Sequence, residues 1–340
     1  MTLPTAQHAV VDLQHAHREL LRVVDSLTPE QWDRGVPYGE WTIKDLIAHV
    51  VGDLSPSGAG LIYAGVLNEQ FIADTSRFFD VRGRNQAMVE ERRRWTHEDL
   101  RQSLFEAHDM RIEMTLRLDE RHLETLAYPV PMGPEYDLIV EDWLWYGYHD
   151  RQHTDDIRRA LAIEWSPRAL HFLPEIEEKL RWFVRAQEGF LRAVYSVADD
   201  AWGDPAHGEG EGWTYRDVLA HIASNEERLQ VRFRSAVGKA TQAEIDAVND
   251  VDAWNAGAVA ARAGASITDL IDEFHRGRNE TLETLAALTR EDLSNTVTVA
   301  GGGQVPLLDF IDRVSNHTSW HAGQLVPASR RARAPGRQGT

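Results

Sequence analysis

Two pairs of histidines in this chain stand four residues apart, His149 with His153 in "YHDRQHTDDI" and His317 with His321 in "NHTSWHAGQL". On an α-helix, residues i and i+4 share a face about 6 Å apart along the axis, so both imidazoles of such a pair can reach one ion. A third histidine closes a motif that occurs twice, "WTIKDLIAHV" at 41–50 and "WTYRDVLAHI" at 213–222, putting His49 and His221 in matching positions. The other histidines of the chain's 15 have no counterpart: Phe105 stands opposite His275, Asp292 opposite His122 and Arg278 opposite His108. Three neutral imidazoles leave coordination positions open, as a working metal site requires. Zn, Ni and Fe(II) all accept imidazole nitrogen, so the donor set admits any of them, with up to two divalent metals per chain. A purely structural hydrogen-bonded histidine cluster is the alternative reading. A cation with open positions can bind a thiol or a water, lower its pKa and present it as a nucleophile.

Composition narrows the chemistry. The chain has no cysteine, which removes disulfides, thiolate nucleophiles and sulfur-ligated metals, so any thiol must be brought from outside. A net charge of -18 argues against nucleic acid or an anionic membrane as partner. The basic end "SRRARAPGRQGT" is the exception and is expected to be a disordered tail over 327–340. Neither a signal-type apolar run near Met1 nor an 18-residue apolar stretch occurs, so a cytoplasmic protein is expected.

The elements that would hold these histidines are written twice. "VVDSLTPEQW" ending at Trp32 answers to "VYSVADDAW" ending at Trp202, and "VRGRNQAMV" from Val81 to "VDAWNAGAV" from Val251. We read a tandem duplication, with copies over 1–165 and 166–326 joined around "EWSPRALHFLP", where Pro167 and Pro174 discourage a continuous helix. Apolar residues recur at spacings of three and four, and strand-like alternation is nearly absent, which predicts an all-α chain of two four-helix bundles. The expected helices are 6–27, 42–66, 84–118 and 137–163, then 174–198, 214–238, 266–288 and 306–326, with a further one around 242–262. "LSPSGAG" after Asp53 should interrupt the second helix of the first copy. Thr42 and Thr214, each with Asp three residues on, are expected N-caps. Leu307, Phe310, Val314, His317, His321 and Leu325 form one stripe, and His221 flanks Val218, Leu219 and Ile222 as His49 flanks Leu46, Ile47 and Val50, so each triad aims into its bundle.

On these residues each half resembles the DinB/YfiT superfamily, the group that includes mycothiol-dependent maleylpyruvate isomerases and bacillithiol transferases. The resemblance rests on Trp41 to His49 with "YHDRQHTDDI", and on Trp213 to His221 with "VDAWN" and "NHTSWHAGQL"; it spans nearly the whole chain. It implies two DinB-like four-helix bundles, each with a long crossover. The implied metal ligands are His49, His149 and His153, then His221, His317 and His321. The first copy departs in carrying Asp155 and Asp156 where the second has Gly323 and Gln324. The implied activity is metal-dependent transfer of a low-molecular-weight thiol, with mycothiol expected, to an electrophilic metabolite or toxin. A metal-activated-water hydrolase or lyase and a non-catalytic metal- or ligand-binding stress protein are the alternatives. Asp53 and Asn225, four residues beyond His49 and His221, are the candidate catalytic-site residues, and either they or Asp45 and Asp217 could orient a ligand imidazole. Asn85 and Asn255 recur as a cap or a substrate contact. Trp143, Trp145, Tyr146 and Tyr148 read as core and interface or as a flat-ligand pocket. Either a monomer or a homodimer is expected.

Overall fold

Ser or Thr followed three residues later by a carboxylate starts helix after helix in this chain. A computed structural model describes residues 4–38, 40–54, 80–123, 126–128, 138–139, 147–162, 170–206, 212–299 and 302–325. The chain divides into two compact units, the boundary falling between residues 167 and 168.

The first unit contains α1 (Pro4–Asp25), α2 (Ile43–Leu54), α3 (Val81–Arg92), α4 (His97–Leu116) and α5 (Gly147–Ala162), with short strands β1 (Leu126–Tyr128) and β2 (Leu138–Ile139) ahead of α5. The second contains α6 (Pro174–Tyr195), α7 (Tyr215–Ala236), α8 (Gln242–Asn249), α9 (Val251–Ala261), α10 (Ile267–Ala286), β3 (Thr296–Thr298), β4 (Gln304–Pro306) and α11 (Leu307–Leu325). In each unit the first and last helices pack together, α1 on α5 and α6 on α11. The helix carrying the Trp-Thr motif packs on the long helix that follows, α2 on α4 and α7 on α10. The expected helical-bundle class is therefore observed.

The structure corrects several boundaries. One helix was expected over 84–118, but Thr96 takes extended backbone (φ -73°, ψ 165°) and exchanges capping bonds with Asp99, ending α3 and starting α4. Likewise the helix expected over 242–262 divides at Asp250, whose side chain accepts from the Ala253 amide and caps α9. The last helix of the first unit is described over Gly147–Ala162 and does not extend back to 137, because residues 138–139 pair antiparallel with 126–128. The second unit repeats the device: Thr296–Thr298 pairs with Gln304–Pro306 immediately before α11. Residues 55–60 of the "LSPSGAG" segment, the joint at Pro167, Trp143, Trp145, Tyr146 and the tail 327–340 lie outside the described residues.

Thr42 and Thr214 do cap α2 and α7. The Asp45 and Asp217 amides donate to the threonine hydroxyls at 3.2 Å, and the aspartates accept from the threonine amides at 3.0 and 2.9 Å. Such a cap contributes about 1 kcal/mol. In the second unit, α7 runs unbroken through Ala236. Its core is Phe183, Phe190, Leu219, Ile222, Phe233, Phe274 and Ile311, all buried, and each such side chain contributes about 1.5–3 kcal/mol on burial. Gly277 sets the approach of α10 to α7: a methyl there would lie 2.4 Å from Glu226 Cβ.

Candidate metal centres

Helix α2 brings His49, and α5 brings His149 and His153, to one point inside the first unit. His149 Nε2 lies 3.3 Å from His49 Nε2 and 3.2 Å from His153 Nε2, and all three rings are buried. In the second unit α7 supplies His221 and α11 supplies His317 and His321. The His317 Nε2 is 3.3 Å from His221 Nε2 and 3.2 Å from His321 Nε2. The expected triads are thus the ones the fold assembles, twice, and each forms a group able to hold a metal ion.

The spacing matches the chemistry of an ion. Imidazole nitrogens about 2.0–2.1 Å from a tetrahedral cation stand about 3.3–3.4 Å apart. The tautomers agree as well. His321 Nδ1 is 2.7 Å from Gln324 Oε1, an oxygen that can only accept, so Nδ1 carries the proton and Nε2 turns a lone pair to the centre. His153 Nδ1 is held in the same way by Asp156 Oδ2 at 3.0 Å. Burial holds the rings neutral, as a ligand must be: it pushes His221 down to about 2, His317 to about 3 and His321 to about 4, and drives His49 and His149 well below the usual imidazole range. In His221, His317, His49 and His149 a neighbouring imidazole of the same triad adds to the effect. The tryptophan of each repeated motif packs on its histidine, Trp41 at 5.3 Å from His49 and Trp213 at 5.0 Å from His221, ring centre to ring centre. The motif is therefore read as one device, in which Trp shields the ring, Thr and Asp start the helix, and His reaches the centre two turns on.

The other nominated residues fall out differently. Asp53 is buried, with Oδ2 4.0 Å from His149 Nε2 and Oδ1 3.9 Å from Arg84 Nη2. It faces the converging nitrogens and does not hold an imidazole by Nδ1, a role Asp156 has in the first unit. Burial pushes the Asp53 carboxyl up, against the pull of Arg84 and Arg111. Asn225, also buried, holds the corresponding place in the second unit. Asp45 and Asp217 are engaged in capping and orient no ring. Asn85 and Asn255 are not caps either, since Asp80 accepts from the Gly83 amide and Asp250 from the Ala253 amide. Tyr148 meets His149 edge-on, ring centres 6.4 Å apart.

One further buried cluster in the first unit has no counterpart in the repeat. His17 and His108 are buried with Asp150, whose Oδ2 lies 3.6 Å from His17 Nδ1 and 3.8 Å from His108 Nε2. The two rings are stacked, centres 3.5 Å apart and planes 13° from parallel. Imidazole lone pairs lie in the ring plane, so one ion cannot meet both rings in this stacked arrangement. In the second unit the corresponding residues are Gln187, Arg278 and Thr318. Arg278 is fully buried there, with Nη2 2.7 Å from Glu226 Oε1 and its guanidinium 4.2 Å from the Phe183 ring centre. The two units fill this place with different groups, so no recurring histidine marks it in the sequence.

A helical bundle with three convergent imidazoles from its second and last long helices defines a DinB-type domain, and each unit is one. Residues 13–158 match the family model described as the mycothiol maleylpyruvate isomerase N-terminal domain, and residues 182–325 match that of the DinB superfamily. The chain belongs to this group as two such domains in tandem. No curated protein and no solved structure matches it. Among the described residues, no helix is long and apolar enough to cross a membrane.

Proposed function

We propose that the protein is a metal-dependent thiol S-transferase of two domains, 1–165 and 166–326. It joins a low-molecular-weight thiol, mycothiol first among candidates, to an electrophilic metabolite or toxin. The observation that carries this reading is the pair of histidine triads whose Nε2 atoms stand 3.2–3.3 Å apart. The mycothiol-related match of residues 13–158 supports the choice of thiol. A divalent cation, Zn, Ni or Fe(II), supplies Lewis acidity that converts a bound thiol to thiolate. His49, His149 and His153 would hold one, and His221, His317 and His321 the other. Asp156 and Gln324 keep His153 and His321 in the ligating tautomer, while Trp41 and Trp213 cover one side of each triad. With no cysteine in the chain, the sulfur of the new S–C bond comes from the free thiol, whose S–H bond breaks as the π or C–O bond of the electrophile opens and takes up the proton. The partners are small molecules, acting on a monomer or homodimer in the cytoplasm, and the net charge of -18 disfavours nucleic acid or an anionic membrane.

Asp53 favours a second reading at the first centre. A buried carboxylate beside His149 Nε2, its pKa raised by burial, is placed to take a proton from a water, as a hydrolase or lyase needs. The deciding experiment follows consumption of a maleimide or an epoxide with mycothiol, bacillithiol, glutathione or no thiol, in wild type, His49→Ala and His221→Ala. A thiol-dependent rate lost in a variant supports the transferase. Equal consumption without thiol transfers the case to the hydrolase, and a metal-loaded protein with neither activity is a binding protein.

A further inference from the structure

The two centres share their donors and differ in what stands behind them. In the first, His153 Nδ1 donates to a carboxylate, Asp156 Oδ2, at 3.0 Å, and Asp53 brings a second carboxylate to 4.0 Å from His149 Nε2. In the second, the acceptor for His321 Nδ1 is the neutral amide oxygen of Gln324 at 2.7 Å, and Asn225 stands where the first unit has Asp53. The surrounding charges differ in the same sense. Arg159 lies 3.4 Å from Asp156 and Arg84 3.9 Å from Asp53, so each carboxylate at the first centre has a guanidinium close by. On α7, Asn225 and Arg228 follow His221 at i+4 and i+7, along one helix face. Arg228 lies two turns along α7 from His221. Its Nε donates to the Val248 carbonyl at 3.2 Å, and among the described residues it meets no carboxylate. Arg278, near His317, is already neutralised by Glu226.

A carboxylate that accepts the Nδ1 proton of a ligating imidazole gives the ring anionic character and makes it a stronger donor; an amide oxygen does this far less. A stronger donor holds its metal longer and leaves it a weaker acceptor for an incoming anion. A guanidinium that meets no carboxylate, on the helix that carries His221, favours an anion at the other centre. We propose that the two centres are functionally unequal: the first is the metal-retaining centre, and the second is the one that takes up a thiolate. Asp156 and Gln324 are the positioning residues that set the difference. The inference rests on the reading that both triads hold a divalent metal.

The test uses the full chain loaded with Co(II), with two readouts: the rate of metal release to excess EDTA, and the thiolate-to-cobalt absorption on adding 2-mercaptoethanol. Metal analysis comes first and should find close to two ions per chain. Release should then be biphasic, with rates separated by about tenfold or more, the scale on which such outer partners alter metal affinity. His153→Ala should remove the slow phase and His321→Ala the fast one. The thiolate band should survive His153→Ala and vanish in His321→Ala. Gln324→Glu places a carboxylate of the same shape on His321 and should slow the fast phase about tenfold and weaken the band. Asp156→Asn should quicken the slow phase. Two bound metals that leave in a single phase, a fast phase unmoved by Gln324→Glu, or a band lost only in His153→Ala overturns the inference and leaves the metal reading standing. A metal content near zero overturns both.

Discussion

Replacing Glu226 by Gln leaves the shape of the second unit's core nearly intact and strands one positive charge in it. Arg278 and Glu226 are each 1 % exposed in their side chains and 2.7 Å apart. At an effective dielectric near 20, unit charges at that separation attract by about 6 kcal/mol. Burial opposes both ions, pulling Arg278 down and pushing Glu226 up in pKa. The pair therefore contributes much less than its attraction, whereas removing one partner exposes the full cost of the other, about 3–5 kcal/mol. The Phe183 and Phe274 faces, 4.2 and 5.1 Å from the guanidinium carbon, recover part of that, on the order of 1–2 kcal/mol. The expected loss for Glu226→Gln is about 1–4 kcal/mol. Glu226→Leu with Arg278→Met should recover most of it, since apolar replacement of a buried pair is often neutral. Hydrogen exchange in peptides from α7 and α10 reads the second unit alone. A loss below about 1 kcal/mol for the single variant, or a double variant as unstable as the single, would refute the reasoning.

Elemental analysis should find two divalent metals per wild-type chain and one in His321→Ala, with His275→Ala unchanged at two; equal content in wild type and His321→Ala would sink the ligand assignment. Chelation should lower the melting temperature of the wild type, because metal bound only to the folded state stabilises it by mass action. Acid should act in one direction. The folded pKa values of His221, His317 and His321 (about 2, 3 and 4) lie below the ordinary value of 6.5, so the unfolded chain binds more protons. The stability these groups contribute is complete above about pH 6.5 and is lost as pH falls through the folded values. Denaturant titrations of the metal-free protein between pH 7.5 and 4.5 should show the decline, and flat stability over that range would contradict the buried neutral state.

What was legible in the sequence was local. The pairs His149/His153 and His317/His321 need only one helix to converge, and a duplicated Trp-Thr motif located the third ring. The cap at Thr96 was less visible because apolar spacing continues through it, although Thr96 and Asp99 carried the signal. The strand pairs before α5 and α11 are two or three residues long, too short for periodicity to register. The orienting roles of Asp156 and Gln324 were readable in principle, since each stands three residues beyond its histidine on the same helix. His17, His108 and Asp150 come from three helices, and only packing brings them together.

The close approach at Gly277 reaches further than its own neighbourhood. Because no methyl fits between it and Glu226, α7 and α10 are meshed there like two gear teeth, and neither can slide along the other without losing the engagement. His221 rides on the same rigid rod as Glu226, five residues upstream. The aim of His221 is thereby calibrated at a contact that touches no member of its triad, so a side chain added at Gly277 is expected to disturb the proposed metal centre as well as the Glu226–Arg278 pair.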